Sequence, residues 1–115
     1  MVSVPYVPGR GDIVWLNFDP RAGHEQASRR PALVLSPRSY NDRTGLALLC
    51  QVTTAVKGYP FEVPLPQGCA ITGVVLSDHI ESLDWRARHA SLAAQTIPAV
   101  VEQVLEMLGG AYPAR

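Results

Sequence analysis

The sequence predicts a mainly β domain of the α+β class, with a helix at its C-terminal end. Three observations carry this. Short runs rich in β-branched and aromatic residues recur between residues 13 and 92. Pro, Gly, Asp and Asn punctuate them, and only the tail shows a helical period. Six to seven short strands and one helix suggest a small, strongly bent antiparallel sheet or barrel with the helix packed against it.

The elements follow in order. Pro5, Pro8 and Gly9 mark an extended arm. Ile13–Phe18 is the first strand, ended by Asp19-Pro20. Residues 19–30 are polar and aperiodic, a loop long enough to carry function. Pro31–Ser36 is a continuous apolar run, as expected of a strand buried on both faces. Residues 38–45 suit a single helical turn stopped at Gly45, and Leu46–Thr54 is the next strand. Gly58-Tyr59-Pro60 turns the chain into Phe61–Leu65, where Pro64 favours an edge or a bulge. Gly73–Ser77 and His79–Leu83 read as two strands, and Arg86–Leu92 as one more. In the tail, Thr96 is the expected N-cap and Pro98 falls in the first turn. Val100, Val101, Val104, Leu105 and Leu108 make one apolar helical face, and Gly109-Gly110 is expected to end the helix.

Composition bounds the function. At 115 residues, 47% of them hydrophobic, the chain is expected to form a single domain spanning 1–115. Net charge is zero, so no global field draws in nucleic acid. The distribution is more informative: residues 21–43 hold Arg21, Arg29, Arg30, Arg38 and Arg43 against Glu25 and Asp42. Arginine offers a planar fork that matches phosphate and stacks on bases. Cys50 and Cys69 lack metal or redox spacing, and Cys50 reads as a buried small hydrophobe. No secretory signal and no membrane span are visible, so a cytoplasmic location is expected.

The sequence contains no phosphate loop, no dinucleotide fingerprint and no nucleophile elbow. No His or carboxylate spacing suggests a metal site, and no cofactor is expected. One polar stretch remains, Gly23-His24-Glu25-Gln26-Ala27-Ser28-Arg29-Arg30, set just before a buried strand that could hold its side chains in place. Thr53 closes the other long apolar strand. If those two strands pair, Arg30 and Thr53 meet.

The order of motifs is itself informative. G-D-I-V-W-L-N-F-D-P at 11–20, G-H-E-Q-A-S-R-R-P-A-L-V-L-S-P at 23–37, Y-N at 40–41, T-T at 53–54, K-G-Y-P-F-E-V at 57–63 and D-W-R-A-R at 84–88 resemble the MazF/PemK toxin family, collinearly from about residue 6 to about residue 90. The K-G-Y-P-F-E-V stretch resembles its enterobacterial MazF branch most closely.

The resemblance implies an SH3-like barrel with a C-terminal helix, usually a homodimer. It implies the toxin of a type II toxin–antitoxin system, silenced by an antitoxin with an acidic, flexible tail. The implied activity is sequence-specific, metal-independent cleavage of single-stranded RNA to a 2′,3′-cyclic phosphate and a 5′-hydroxyl. Carried over by motif, the catalytic residues are Arg30, Thr53 and Glu25. Arg30 suits stabilisation of the phosphorane, and Thr53 can add a neutral donor. Glu25 is the first candidate base and His24 the second. For RNA contacts the candidates are Phe18, His24, Lys57, His79, Trp85, Arg86 and Arg88, by charge or stacking. Trp15, inside a strand, is expected in the core. A toxin of the same fold that binds DNA gyrase without cutting nucleic acid is the alternative, because fold alone does not fix function.

Overall fold

The computed structural model describes residues 5–19 and 29–111. Chain order is β1 (Asp12–Asn17), β2 (Arg29–Val34), α1 (Arg38–Thr44), β3 (Leu46–Thr53), β4 (Glu62–Pro64), β5 (Val74–Asp84), β6 (Ser91–Gln95) and α2 (Pro98–Ala111). All strand pairs are antiparallel in one sheet of order β4-β5-β3-β2-β1-β6. The six strands and C-terminal helix match the expected architecture. Among the described residues β4 and β6 remain edges, so the bent sheet is barrel-like without closing.

The sheet carries an apolar cluster on each face, which is why its central strands read as continuous apolar runs. On one face Ile13, Leu33, Cys50, Val52, Val63 and Val75 pack with Val100, Val101 and Val104 of α2. Each of those helix valines, at most 5% exposed, contributes roughly 1.5–3 kcal/mol by burial. On the other face Val14, Leu16, Ala32, Val34, Ala47 and Leu49 pack with Leu83 and Trp85.

Asn41 ties the second face together. It is fully buried; its amide donates to the Pro8 carbonyl at 2.8 Å and the Ser36 carbonyl at 3.0 Å. Its own carbonyl accepts the Trp85 indole N–H at 2.9 Å. Helix α1 stops where expected. Gly45 takes φ 73°, and its N–H closes on the Asn41 carbonyl at 3.0 Å.

Four local expectations are corrected. The segments 73–77 and 79–83 form one strand, β5, whose pairing with β3 shifts register between Cys50↔Ile80 and Val52↔Val75. This irregularity bends the strand at Asp78, the point where the apolar pattern breaks. The segment 86–92 is not a strand throughout: residues 85–89 turn, and β6 starts at Ser91. Thr96 does not cap α2, because its buried hydroxyl has no hydrogen-bond partner among the described residues. The helix also continues through Gly109-Gly110 to Ala111.

Candidate functional site

Two adjacent cavities open at the end of the sheet where β2 and β3 meet. The larger, about 590 Å³, is lined by Trp15, Arg29, Arg30, Pro31, Gln51–Thr54 and Ala70–Thr72. The smaller, about 230 Å³, is lined by Thr53, Ala55, Lys57, Tyr59, Phe61, Glu62, Leu76 and His79. Thr53 lines both.

Pairing brings Arg30 and Thr53 together. The β2–β3 register runs Val34↔Leu49, Leu33↔Cys50, Ala32↔Gln51. Continued two residues outward, the same count sets Arg30 level with Thr53. Both are polar because the sheet ends here and neither apolar cluster reaches them.

The two neighbouring arginines are used differently. Arg29 donates to Asn17 Oδ1 (3.0 Å), the Trp15 carbonyl (3.2 Å), the His89 carbonyl (2.9 Å) and Ser91 Oγ (3.0 Å). One guanidinium thereby joins β1, β2 and the start of β6. Arg30 is exposed; its backbone lies in the β1–β2 ladder opposite Leu16, and its side chain makes no hydrogen bond or ion pair with the described residues. Its fork is open to a ligand.

Thr53 is held from two sides. Its Oγ1 accepts the Ala55 N–H at 3.0 Å, which leaves the hydroxyl proton to donate. Its backbone pairs with Val74, next to Gly73 at φ 122°. A Cβ on Gly73 would press on the Thr53 carbonyl, 2.9 Å from its carbon. Only glycine lets the two backbones approach this closely.

The smaller cavity has an ordered loop as its wall. The Glu62 carboxylate accepts the Lys57 N–H at 3.1 Å and the Gly58 N–H at 2.9 Å. Tyr59 and Phe61 stack, with centroids 5.2 Å apart and planes 18° from parallel. His79 reaches the cavity from the bend in β5, and its Nε2 lies 3.6 Å from Asp78 Oδ2. A strand irregularity beside a cavity commonly aims a side chain in this way.

The sequence-based candidates therefore divide. Arg30 and Thr53 share one cavity, and Lys57 and His79 share the next with Thr53. His24 and Glu25 lie outside the described residues. Phe18, Trp85, Arg86 and Arg88 line neither cavity. Trp85, expected as a stacking surface, is corrected to a core residue: it is 5% exposed and packed in the second cluster. Arg86 covers its ring at 4.5 Å and reaches Asp42 at 3.4 Å. Arg88 donates to the carbonyls of Asn17 (3.1 Å) and Phe18 (2.9 Å), and Phe18 packs partly buried on the same cluster.

Trp15 is corrected in the opposite sense. It is 37% exposed and lines the larger cavity, because it sits at the sheet's end opposite Pro31 and Ser91, beyond the cluster under α2. Tyr59 and Phe61 were missed altogether. Their signal in the sequence was two aromatics flanking Pro60, spaced to share a side of an extended chain.

Among the described residues no group of three or more His, Cys, Asp or Glu side chains could hold a metal ion. None of their helices is long and apolar enough to cross a membrane.

Comparison with known proteins identifies the family. Residues 9–110 match the family described as PemK-like, MazF-like toxin of type II toxin–antitoxin system. The Escherichia coli K12 protein named endoribonuclease toxin MazF is 48% identical over 99 residues, covering 86% of this chain and 88% of that protein. A crystal structure of MazF from Deinococcus radiodurans superposes with a TM-score of 0.84 at 55% identity, covering 93% of this chain and 97% of that one. A MazE–MazF crystal structure from the same organism gives 0.85 at 48% identity, covering 96% and 100%. With a family match over most of its length and relatives this similar across the same span, the chain belongs to the PemK-like, MazF-like toxins of type II toxin–antitoxin systems.

Proposed function

We propose that this toxin is a metal-independent endoribonuclease that cuts single-stranded RNA at specific sequences. The observation that carries the reading is the meeting of Arg30 and Thr53 at one cavity, from strands separated in the chain. The names of the relatives, endoribonuclease toxins MazF and ChpB, support it over the gyrase-binding alternative.

The chemistry follows from the groups present. The ribose 2′-oxygen attacks the adjacent phosphorus, the P–O5′ bond breaks, and the products are a 2′,3′-cyclic phosphate and a 5′-hydroxyl. Charge builds on the non-bridging oxygens in between. The Arg30 fork matches two of those oxygens, and the Thr53 hydroxyl donates to one. A guanidinium offers five N–H donors and no acceptor, so Arg30 is a donor and not the base. Glu25 is the proposed base and His24 the second candidate, while the leaving 5′-oxygen takes its proton from Arg30. Lys57 adds positive charge along the strand's path.

In this reading the toxin acts in the cytoplasm as a homodimer and a single domain over 1–115. A cognate antitoxin with an acidic, flexible tail covers the cavity. The solved MazE–MazF complexes support that partner.

The test is cleavage of a long RNA by purified protein in EDTA. Discrete fragments with 5′-hydroxyl ends are expected. Arg30→Ala and Thr53→Ala are each expected to lower the rate about 10²–10³-fold. Full activity of folded Arg30→Ala would refute the assignment, and the absence of fragments from the wild type would favour the gyrase-binding alternative.

A further inference from the structure

We infer that Arg29 is a second, immobile cation of the RNA site, holding a phosphate next to the scissile one while Arg30 meets the reacting group. The inference rests on the endoribonuclease reading and adds a backbone contact to it.

Charge is the first argument. Arg29 lines the larger cavity with Arg30. All four of its acceptors are neutral: the Asn17 side-chain oxygen, the Trp15 and His89 carbonyls and the Ser91 hydroxyl. Arg38 and Arg86, by contrast, face Asp12 at 3.3 Å and Asp42 at 3.4 Å. Neutral oxygens orient a guanidinium without cancelling its charge. No carboxylate among the described residues pairs with Arg29, so that charge remains for a ligand.

The second argument is unused donors. The four bonds leave from Nη1 and Nη2, and Nε donates to nothing among the described residues. A guanidinium carries five N–H groups, so the half-buried side chain keeps a donor for a phosphate oxygen.

The third is rigidity. Among the described residues His89 is the one non-glycine at positive φ, 55°, and its carbonyl is an Arg29 acceptor. Asn17 is 2% exposed, and its own N–H is held by the Arg88 carbonyl at 2.9 Å. Strain such as that at His89 persists where the surroundings over-determine the backbone. A guanidinium fixed at this many points loses little freedom on binding.

Geometry keeps the two cations apart. Successive strand residues face opposite sides, so Arg29 and Arg30, adjacent in β2, stand on opposite sides of the strand's end. They suit two phosphates of one RNA strand better than a single phosphate.

The experiment is binding of an uncleavable single-stranded 2′-O-methyl RNA, titrated from about 0.05 M to about 1 M salt. Each phosphate contact on a single strand contributes about 0.7 to the slope of log affinity against log salt. Arg29→Gln is expected to make the slope shallower by about 0.7. Binding then weakens roughly fivefold at about 0.1 M salt and hardly at all near 1 M. Arg29→Lys keeps the charge and loses the clamp, so it should keep the wild-type slope. A slope reduced in both variants would assign the loss to the scaffold and overturn the inference. Arg29→His supplies the charge test within one protein, should the glutamine variant not fold. Its slope should match the wild type at about pH 5 and be shallower by about 0.7 at about pH 8.5, where the imidazole is neutral. The wild type at both pH values corrects for the other histidines. A histidine variant that responds to pH no more than the wild type, or a folded Arg29→Gln with an unchanged slope, overturns the inference. Cleavage separates this from the parent reading. A wild type that cuts nothing but binds with an Arg29-dependent slope refutes the nuclease and keeps the cation. Robust cleavage with an Arg29-independent slope refutes only the cation.

Discussion

Replacing Gly73 with alanine tests how tightly the fold fixes Thr53. At φ 122° an L-residue is strained, at a cost of about 1–3 kcal/mol. The new methyl would also lie against backbone, 2.9 Å from the Thr53 carbonyl carbon and 3.3 Å from the Thr54 nitrogen. Backbone cannot swing away as a side chain can, so β3 and β5 must part where Thr53 pairs with Val74. A further ~1–2 kcal/mol for that separation brings the expected loss to about 2–5 kcal/mol. For a domain of this size the melting temperature should fall by roughly 10–20 °C. Gly68→Ala is the control: φ is 89°, yet nothing lies within 4 Å of the added Cβ. It should cost only about 1–2 kcal/mol of backbone strain. The assay pairs circular-dichroism melting with RNA cleavage well below each melting temperature. Gly73→Ala should lose at least tenfold in rate even where fully folded, because Thr53 has moved, while Gly68→Ala keeps its rate. Equal melting temperatures for the two variants, or a folded Gly73→Ala with wild-type activity, would refute the reasoning.

Other perturbations follow from the same structure. Arg29→Lys keeps the charge but loses the fork that spans three segments, and should lower the urea midpoint by the equivalent of about 1–3 kcal/mol; a wild-type midpoint would contradict the clamp. Binding of uncleavable RNA should quench tryptophan fluorescence in Trp85→Phe but not in Trp15→Phe, since only Trp15 lines the site; the reverse pattern would misplace the RNA. Burial, with a smaller contribution from Asp78, pushes the Cys50 thiol up to about 12. Burial, then the hydrogen bond to Asp12, raises the Tyr6 hydroxyl above its usual range. Both groups have raised folded-state values, so their contribution is complete below the unfolded values near 9 and 10. It is lost as pH rises above them, for Cys50 up to about pH 12. Chemical denaturation should therefore show stability falling from about pH 9, with a shallower slope in Cys50→Ala. An identical slope would contradict the buried thiol.

The strands were legible because their residues report the two apolar faces of the sheet directly. The Ala32–Leu35 run is buried on both sides, and its continuous hydrophobicity said so. Arg30 and Thr53 were legible as a pair only through the ordered motifs. What brings them together is register, which belongs to two strands and not to either one. Residues whose fate depends on distant partners were misread. Trp85 looked like an exposed ring in an arginine-rich turn, but its indole finds the Asn41 carbonyl across the fold. Trp15 looked like core, yet α2 covers only part of the face on which it stands. The bend that turns His79 toward the smaller cavity leaves only a faint trace, one aspartate interrupting an apolar alternation. The tail's two glycines suggested a helix end, but propensity is a weak prior where packing along the rest of the helix is favourable.

The clamp made by Arg29 also bears on how such a protein can diverge. It is fastened at the first residue of β2, immediately ahead of Arg30. Its partners lie in β1, in the turn before β6 and in β6 itself, so the aim of the neighbouring guanidinium is set by the sheet. Drift elsewhere on the surface can then accumulate without redirecting Arg30, whereas loss of Arg29 itself would loosen its aim.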